Sequence, residues 1–163
     1  MRIGVIADTH GYLGDDVVRE LNGCDLIVHA GDIGDALILD RLAEIAPVKA
    51  IRGNHEPESL EHLPRSLEFE EQGLRFMVLH GFISIPRDRA MELFGHFFEN
   101  IKKKNIDVLI FGHTHIPYNR IEQDMLLFNP GYAGRSAEHR EIGFLKIEDG
   151  RIEAEHLPLD STE

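Results

Sequence analysis

Apolar and polar positions follow two rhythms along this chain. Up to about Pro117, short apolar runs alternate with longer polar or helix-patterned stretches. The runs Arg2 to Ala7, Asp25 to His29, Val48 to Ile51, Leu74 to Leu79 and Val108 to Phe111 each predict a strand, because a brief apolar run bounded by Gly, Pro, Asp or Asn reads as buried β structure. Leu67 to Glu71 adds a strand ahead of the Gln72-Gly73 turn. Between the runs lie a short helix ending near Leu21, a helix with Ile38, Leu42 and Ile45 on one face, and a connecting segment from Glu58 to Pro64 with one helical turn. Asp15 or Asp16 is the expected N-cap of the first helix. The clearest helix runs from Arg87 to Lys104, where Met91, Phe94, Phe98 and Ile101, with Ala90 and Phe97 beside them, form an apolar stripe. After Pro117 the rhythm changes to strands at Tyr118 to Glu122, Met125 to Phe128, Ile142 to Ile147 and Arg151 to His156, joined in part by turns at Gln123-Asp124 and Asp149-Gly150. The pattern predicts the α/β class, with two packed sheets flanked by helices, in one domain spanning residues 1–163.

Composition narrows the partners. With 163 residues the chain can bury a real core. Asp and Glu outnumber Lys and Arg by 29 to 17, for a net charge of −12, which argues against a long nucleic acid as partner unless bound cations reverse the sign locally. Lys102, Lys103 and Lys104 fit the end of the long helix better than a nucleic-acid patch, because positive charge complements the helix dipole there. The single cysteine, Cys24, excludes an intrachain disulfide. No leader pattern and no bilayer-length apolar run is present, so the expectation is a cytoplasmic protein without a membrane partner.

The chemistry is concentrated where the strands stop. After Phe111 the sequence reads Gly112-His113-Thr114-His115, and after Ala7 it reads Asp8-Thr9-His10. If the backbone stays extended, residues i and i+2 share a side, so each pair aims two donors into one space. Asp32, Asn54 and His80 follow three other strands. In open α/β sheets ligands bind beyond the carboxyl ends of the strands, so five strands lying side by side would bring these tips together. Two carboxylates, one amide and four imidazoles are costly to gather without a cation. Seven donors exceed one four-coordinate site and suit two metals with one shared carboxylate.

These motifs, Asp-x-His, Gly-Asp, Gly-Asn-His-Glu, an isolated His and Gly-His-x-His in that order, resemble those of the calcineurin-like metallophosphoesterases, and most closely their small phosphodiesterases. Asn129-Pro130-Gly131 matches a further element of that family. The resemblance implies a four-layer αββα sandwich of two mixed sheets. It gives one metal to Asp8, His10, Asp32 and His115, and the other to Asp32, Asn54, His80 and His113, with Asp32 as the bridge. It implies a phosphodiesterase in which a hydroxide bridging two divalent ions attacks phosphorus. Mn²⁺ is the expected metal, with Fe, Zn²⁺, Ni²⁺, Co²⁺ or Mg²⁺ as alternatives. His55 matches the family's non-ligand histidine beside the substrate phosphate, and Asp35 falls where some members orient it. A structural hydrogen bond for His55 and a plain N-cap for Asp35 remain open. Two positions depart from the family: Ala36 replaces a phosphate-binding Arg, and Tyr132 stands where small members often have Ser. The rival functions are a phosphomonoesterase or nuclease, and a non-catalytic scaffold like the small retromer subunit, which has lost the catalytic histidine. A small phosphoester is the expected substrate, and a homo-oligomer is compatible with the sequence.

The other polar residues read as ordinary ones. His29 inside an apolar strand is expected to be a satisfied core histidine, His62, His96, His139 and His156 to serve surface or packing, and Arg135 and Arg140 to be solvated.

Overall fold

A computed structural model describes residues 1–81, 99–135 and 139–159. The described strands are β1 (Arg2–Ile6), β2 (Leu26–His29), β3 (Val48–Ala50), β4 (Ser66–Glu71), β5 (Leu74–Leu79), β6 (Val108–Phe111), β7 (Tyr118–Glu122), β8 (Met125–Asn129), β9 (Arg140–Glu148) and β10 (Arg151–Leu159). Helices α1 (Asp15–Leu21) and α2 (Ala36–Ala43) and a 3-10 turn at Glu58–Leu60 complete the described elements up to β4. Of the long helix expected from Arg87 to Lys104, residues 87–98 lie outside the described residues, which takes in Ala90, Met91, Phe94, Phe97 and Phe98. Residues 99–103 are helical, Ile101 is buried, and Lys104 pairs with Glu68.

The strands form two five-stranded sheets, ordered β10-β9-β1-β2-β3 and β4-β5-β6-β8-β7. Each has a parallel part, β1-β2-β3 running to one edge of the first sheet and β5-β6-β8 at the centre of the second, and the remaining strands pair antiparallel. The five site-bearing strands therefore do not lie side by side, as expected above, but divide three and two between the sheets. The alternation along each strand explains why. Ile3, Val5, Ala7, Leu26, Val28 and Ala30 need cover on one face, and Phe76, Val78, Val108, Ile110 and Phe128 of the second sheet supply it. On the outer face of the first sheet, Ile6 and Ile27 pack with Val17 and Leu21 of α1 and Ile38 and Leu42 of α2. On the outer face of the second, Leu79, Leu109 and Phe111 pack with Ile101 and Ile106. This is the two-sheet architecture with helices outside, and no described helix is long and apolar enough to cross a membrane.

The hairpin turns fall where the sequence placed them. Both central residues have positive φ at Gln72-Gly73, Gln123-Asp124 and Asp149-Gly150, the type I′ geometry that matches strand twist. The cap of α1 differs from expectation. Gly14 is the N-cap residue and has no side chain to cap with, while Asp16 lies inside the first turn, where Oδ1 accepts from Val17 N at 2.9 Å and both oxygens face the buried guanidinium of Arg140.

Candidate metal centre

At the carboxyl ends of the parallel strands the backbone leaves the extended region at once. Asp8 (φ 55), His10 (φ 47), Asp32 (φ 54), His113 (φ 69) and His115 (φ 58) are all left-handed. Each such residue costs about 1–3 kcal/mol and persists only where its surroundings over-determine it. Cross-strand bonds do so here: Asp8 N donates to Gly31 O at 3.0 Å, His10 N to Asp32 O at 2.9 Å and Gly112 N to His80 O at 2.9 Å. The expectation that extended backbone aims His113 and His115 into one space therefore fails. The turn sends them apart, into two clusters of potential metal donors. One is Asp8, His10 and His115, and the other is Asp32, His80 and His113.

The first cluster is a rim, with His10 and His115 exposed, and the second lies deeper, with Asp32 and His80 buried. In the rim, His10 Nε2 stands 3.3 Å from His115 Nε2, and His115 Nε2 is 3.4 Å from Asp8 Oδ1. In the deep cluster, His80 Nε2 is 3.3 Å from Asp32 Oδ2, and His113 Nδ1 is 3.1 Å from Asn54 Oδ1. Two donors about 2.1 Å from a shared cation and 90–110° apart stand roughly 3.0–3.4 Å from each other, so these spacings suit shared coordination. Asp32 Oδ2 also lies 3.9 Å from His10 Nε2, between the clusters. Oδ2 is the Asp32 oxygen that faces the clusters, because Oδ1 already accepts the N–H groups of Asn54 (2.8 Å) and His55 (2.9 Å).

The unsatisfied atoms point the same way. Asp8 Oδ1 and His80 Nε2 are buried, lack hydrogen-bond partners and stand 3.9 Å apart. Buried polar atoms of native proteins are rarely left so. Asp8 Oδ2 is engaged by His113 N at 3.0 Å, and the Nδ1 edge of His80 by Ala30 O at 2.8 Å. Donation from Nδ1–H to that carbonyl leaves Nε2 as a bare lone pair facing the site. The donor set thus fits divalent cations.

Charges inside the centre are held in tension. Burial pushes the Asp8 carboxyl up to about 7, helped by the charges of Asp32 and Glu56 and resisted by His80 and the His113 N–H. Burial opposes ionisation of Asp32 as well, but the approach of His80 and the N–H groups of His55 and Asn54 hold it well below the usual carboxylate range. The 3.3 Å contact of His80 with Asp32 lacks hydrogen-bond geometry, so we read its pull as charge attraction. Burial works against a charged His80, yet Asp32 and the Ala30 carbonyl raise it; burial and the nearby His10 lower His115.

Close backbone contacts make this packing possible. A Cβ on Gly53 would lie 2.1 Å from Asp32 Oδ1, and one on Gly31 would lie 2.6 Å from His80 Nδ1. Glu56 ties the loops together: Oε1 accepts from Ile33 N and Gly53 N, both at 3.0 Å, and Oε2 from Gly34 N at 2.9 Å. Asn129 holds the histidine loop, donating to Gly112 O at 3.0 Å and Thr114 Oγ1 at 3.1 Å. Glu56 closes the Gly-Asn-His-Glu motif and Asn129 opens Asn-Pro-Gly, but neither bracing role was expected from the sequence. Only the letter after Gly-Asn-His and the Asn-Pro-Gly element hinted at them.

Around the centre, His55 is exposed, its ring 6.3 Å from that of His10. Asp35 caps α2 through Oδ1 to Leu37 N at 2.9 Å, and no hydrogen bond joins it to His55 among the described residues. Tyr132 is buried against the rim, 4.5 Å from the His115 ring and 5.9 Å from that of His10. Two expectations for peripheral residues change, those for His29 and Arg140, while His156 serves packing as expected. His29 shares a 2.9 Å hydrogen bond with Thr9 Oγ1, which itself donates to Ile33 O, but its buried Nδ1 has no partner. Burial pushes this histidine down to about 3, so it stays neutral. His156 is paired, through Nε2 to Asn129 O at 2.7 Å, and stacks on Phe128. Arg140 is buried rather than solvated, 2.7 Å from Asp16 and with Nε donating to Gly134 O at 2.8 Å.

Comparison with known proteins agrees with this geometry. Residues 1–150 match the model of the calcineurin-like phosphoesterase superfamily domain. A probable metallophosphoesterase of Methanocaldococcus jannaschii is 38% identical, with 98% of this chain and 82% of that protein covered. Phosphodiesterase YfcE of Escherichia coli is 29% identical over 80% of this chain and 78% of its own. Among solved structures, wild-type Vps29 of Entamoeba histolytica complexed with Zn²⁺ superposes with a TM-score of 0.75 at 20% identity, covering 97% of this chain and 99% of that one. That last likeness speaks for the fold alone. With strands, motifs and family match in agreement, this chain belongs to the calcineurin-like phosphoesterase superfamily.

Proposed function

We propose that this chain is a phosphodiesterase that works with two divalent cations, Mn²⁺ foremost, on a small phosphoester. The observation that carries the reading is the pair of buried, partnerless atoms Asp8 Oδ1 and His80 Nε2, set 3.9 Å apart among five further donors. In this reading Asp8, His10, Asp32 and His115 hold one ion, and Asp32, Asn54, His80 and His113 hold the other. When bound, such a pair supplies Lewis acidity at phosphoryl oxygens and acidifies water near neutral pH. The chain does the rest. Asp32 Oδ1, fixed by two N–H groups, aims Oδ2 at both ions. His55, exposed beside His10, protonates the leaving oxygen. Asp35 spends Oδ1 on the α2 cap, so we give it positioning of the loop that enters α2 rather than proton transfer.

Hydrolysis of bis-p-nitrophenyl phosphate by the full chain with added Mn²⁺ tests this. Turnover that vanishes with chelator and returns with metal supports it. Metal bound at both clusters with no turnover across a metal panel favours the second reading, a non-catalytic scaffold, to which the Vps29 likeness lends its fold.

A further inference from the structure

Acidic residues dominate this chain, 29 against 17 basic ones. Yet a cleft of about 340 Å³ beside the deep cluster is lined, among the described residues, by two arginines and no carboxylate. Arg52 and Arg65 share it with Asn54, His80 and His113. Arg41 and Arg140, by contrast, are neutralised, by Asp15 at 3.0 Å and Asp16 at 2.7 Å. Arg52 donates only Nη1 to Glu61 O at 3.1 Å, and its Nε makes no hydrogen bond. The exposed Arg65 side chain makes no hydrogen bond or ion pair among the described residues. The cleft therefore places against one wall of the site one guanidinium group held only by a backbone carbonyl and one without a side-chain bond among the described residues. Guanidinium forks match the oxygens of a phosphate, and two of them balance a phosphate dianion.

We infer that this cleft is a subsite for a second phosphate, so the preferred substrate is a phosphodiester carrying a neighbouring terminal phosphate. The scissile bond in this inference rests on the phosphodiesterase reading; the anion site does not. Charge sets the direction. A lone diester brings one negative charge, which the metal donors' cations engage. A terminal phosphate brings up to two more, and Arg52 and Arg65 are the basic groups lining the cleft.

Two measurements on the metal-loaded full chain test it, the first with Zn²⁺ and the second across the metal panel with Mn²⁺ first. In the first, inorganic sulfate is titrated while the side-chain Nε–H signals of arginines are followed by ¹H–¹⁵N NMR. The signals of Arg52 and Arg65 should shift saturably, and the Arg52 shift should weaken in Arg65→Gln. Shifts that are linear and shared by all arginines mean an adventitious ion only and overturn the inference. In the second, a 5′-phosphorylated adenine dinucleotide is compared with its unphosphorylated counterpart. KM should be lower for the phosphorylated one by about tenfold or more, and the gap should close in Arg65→Gln. A gap that is absent, or that survives in the variant, overturns the substrate class. If the wild type cleaves neither dinucleotide nor bis-p-nitrophenyl phosphate, the phosphodiesterase reading fails, while the sulfate titration still decides the anion site. Arg65 is exposed and makes no side-chain bond, so its substitution leaves folding intact where Arg52→Gln would free the Glu61 carbonyl.

Discussion

The two donor clusters sit side by side but are built differently. The deep one is braced from behind. Asp32 accepts two backbone N–H groups, His80 is locked to the Ala30 carbonyl, and Gly31 and Gly53 let those groups close in. The rim has one comparable brace, the His113 N–H on Asp8. His10 and His115 touch each other through Nε2 at 3.3 Å, and neither Nδ1 is hydrogen-bonded among the described residues. Partners behind a ligand fix its ring and raise metal affinity, often by about 10–100-fold. The deep cluster is thus preorganised, while the rim depends on its ion, on Asp8 and on the ring of Tyr132.

Asp32 joins the two clusters, and removing it should do the most damage. Asp32→Ala is expected to release both ions and cut turnover by on the order of a thousandfold or more. Elemental analysis still finding two ions per chain would break the claim that one oxygen serves both sites. His55→Ala comes next. It removes no donor from either cluster, so both ions should stay while kcat falls about 10²–10⁴-fold. Loss of metal in that variant would sink the proton-donor role. The contrast between clusters is sharpened by chelation. Graded EDTA should strip the rim ion first, and His115→Ala should weaken one ion by at least about tenfold while leaving the other in place. Both ions leaving together would mean the braces do not matter.

Much of this was legible in the sequence, for reasons that differ by residue. Strand positions came from apolar runs whose alternation matches the two inner faces, as in Ile3, Val5 and Ala7. All seven proposed donors lie at one end of the sheets, yet the argument that placed them there was partly wrong. Period-two spacing assumes extended backbone, and His113 and His115 are left-handed, a state that His adopts more readily than most residues but that local sequence does not fix. The split of five strands over two sheets was also hidden, because pairing partners are chosen by long-range burial. Glu56 and Asn129 went unassigned because their partners are backbone N–H, carbonyl and hydroxyl groups that only the fold brings near. Arg140 looked like a surface residue for a related reason. Its carboxylate partner, Asp16, lies 124 positions away.

That ion pair offers the smallest and most discriminating test. Arg140 Nε donates to Gly134 O at 2.8 Å, and Gly134 packs so closely under the Tyr132 hydroxyl that a Cβ there would lie 2.4 Å from it. Tyr132 in turn rests on His115 and His10. Asp16 therefore braces the rim at third hand and has no contact with the deep cluster. Asp16→Ala leaves a buried guanidinium without its carboxylate and should cost about 3 kcal/mol of stability, read from denaturant unfolding. The pH dependence has a definite sign. Burial pushes the Asp16 carboxyl up, but the Arg140 hydrogen bond, the Val17 N–H and the Arg140 charge together outweigh it and hold the group below its ordinary value. A carboxyl depressed in the folded state stabilises above its unfolded pKa of about 3.9 and loses that contribution as pH falls through the folded value. The gap between wild type and Asp16→Ala should be full at pH 5 and above and shrink below pH 4. At neutral pH the variant should bind the rim ion a few-fold more weakly and the deep ion unchanged. Equal weakening of both would show that the two clusters share one scaffold, and the distinction between a braced and an unbraced site would have to be given up.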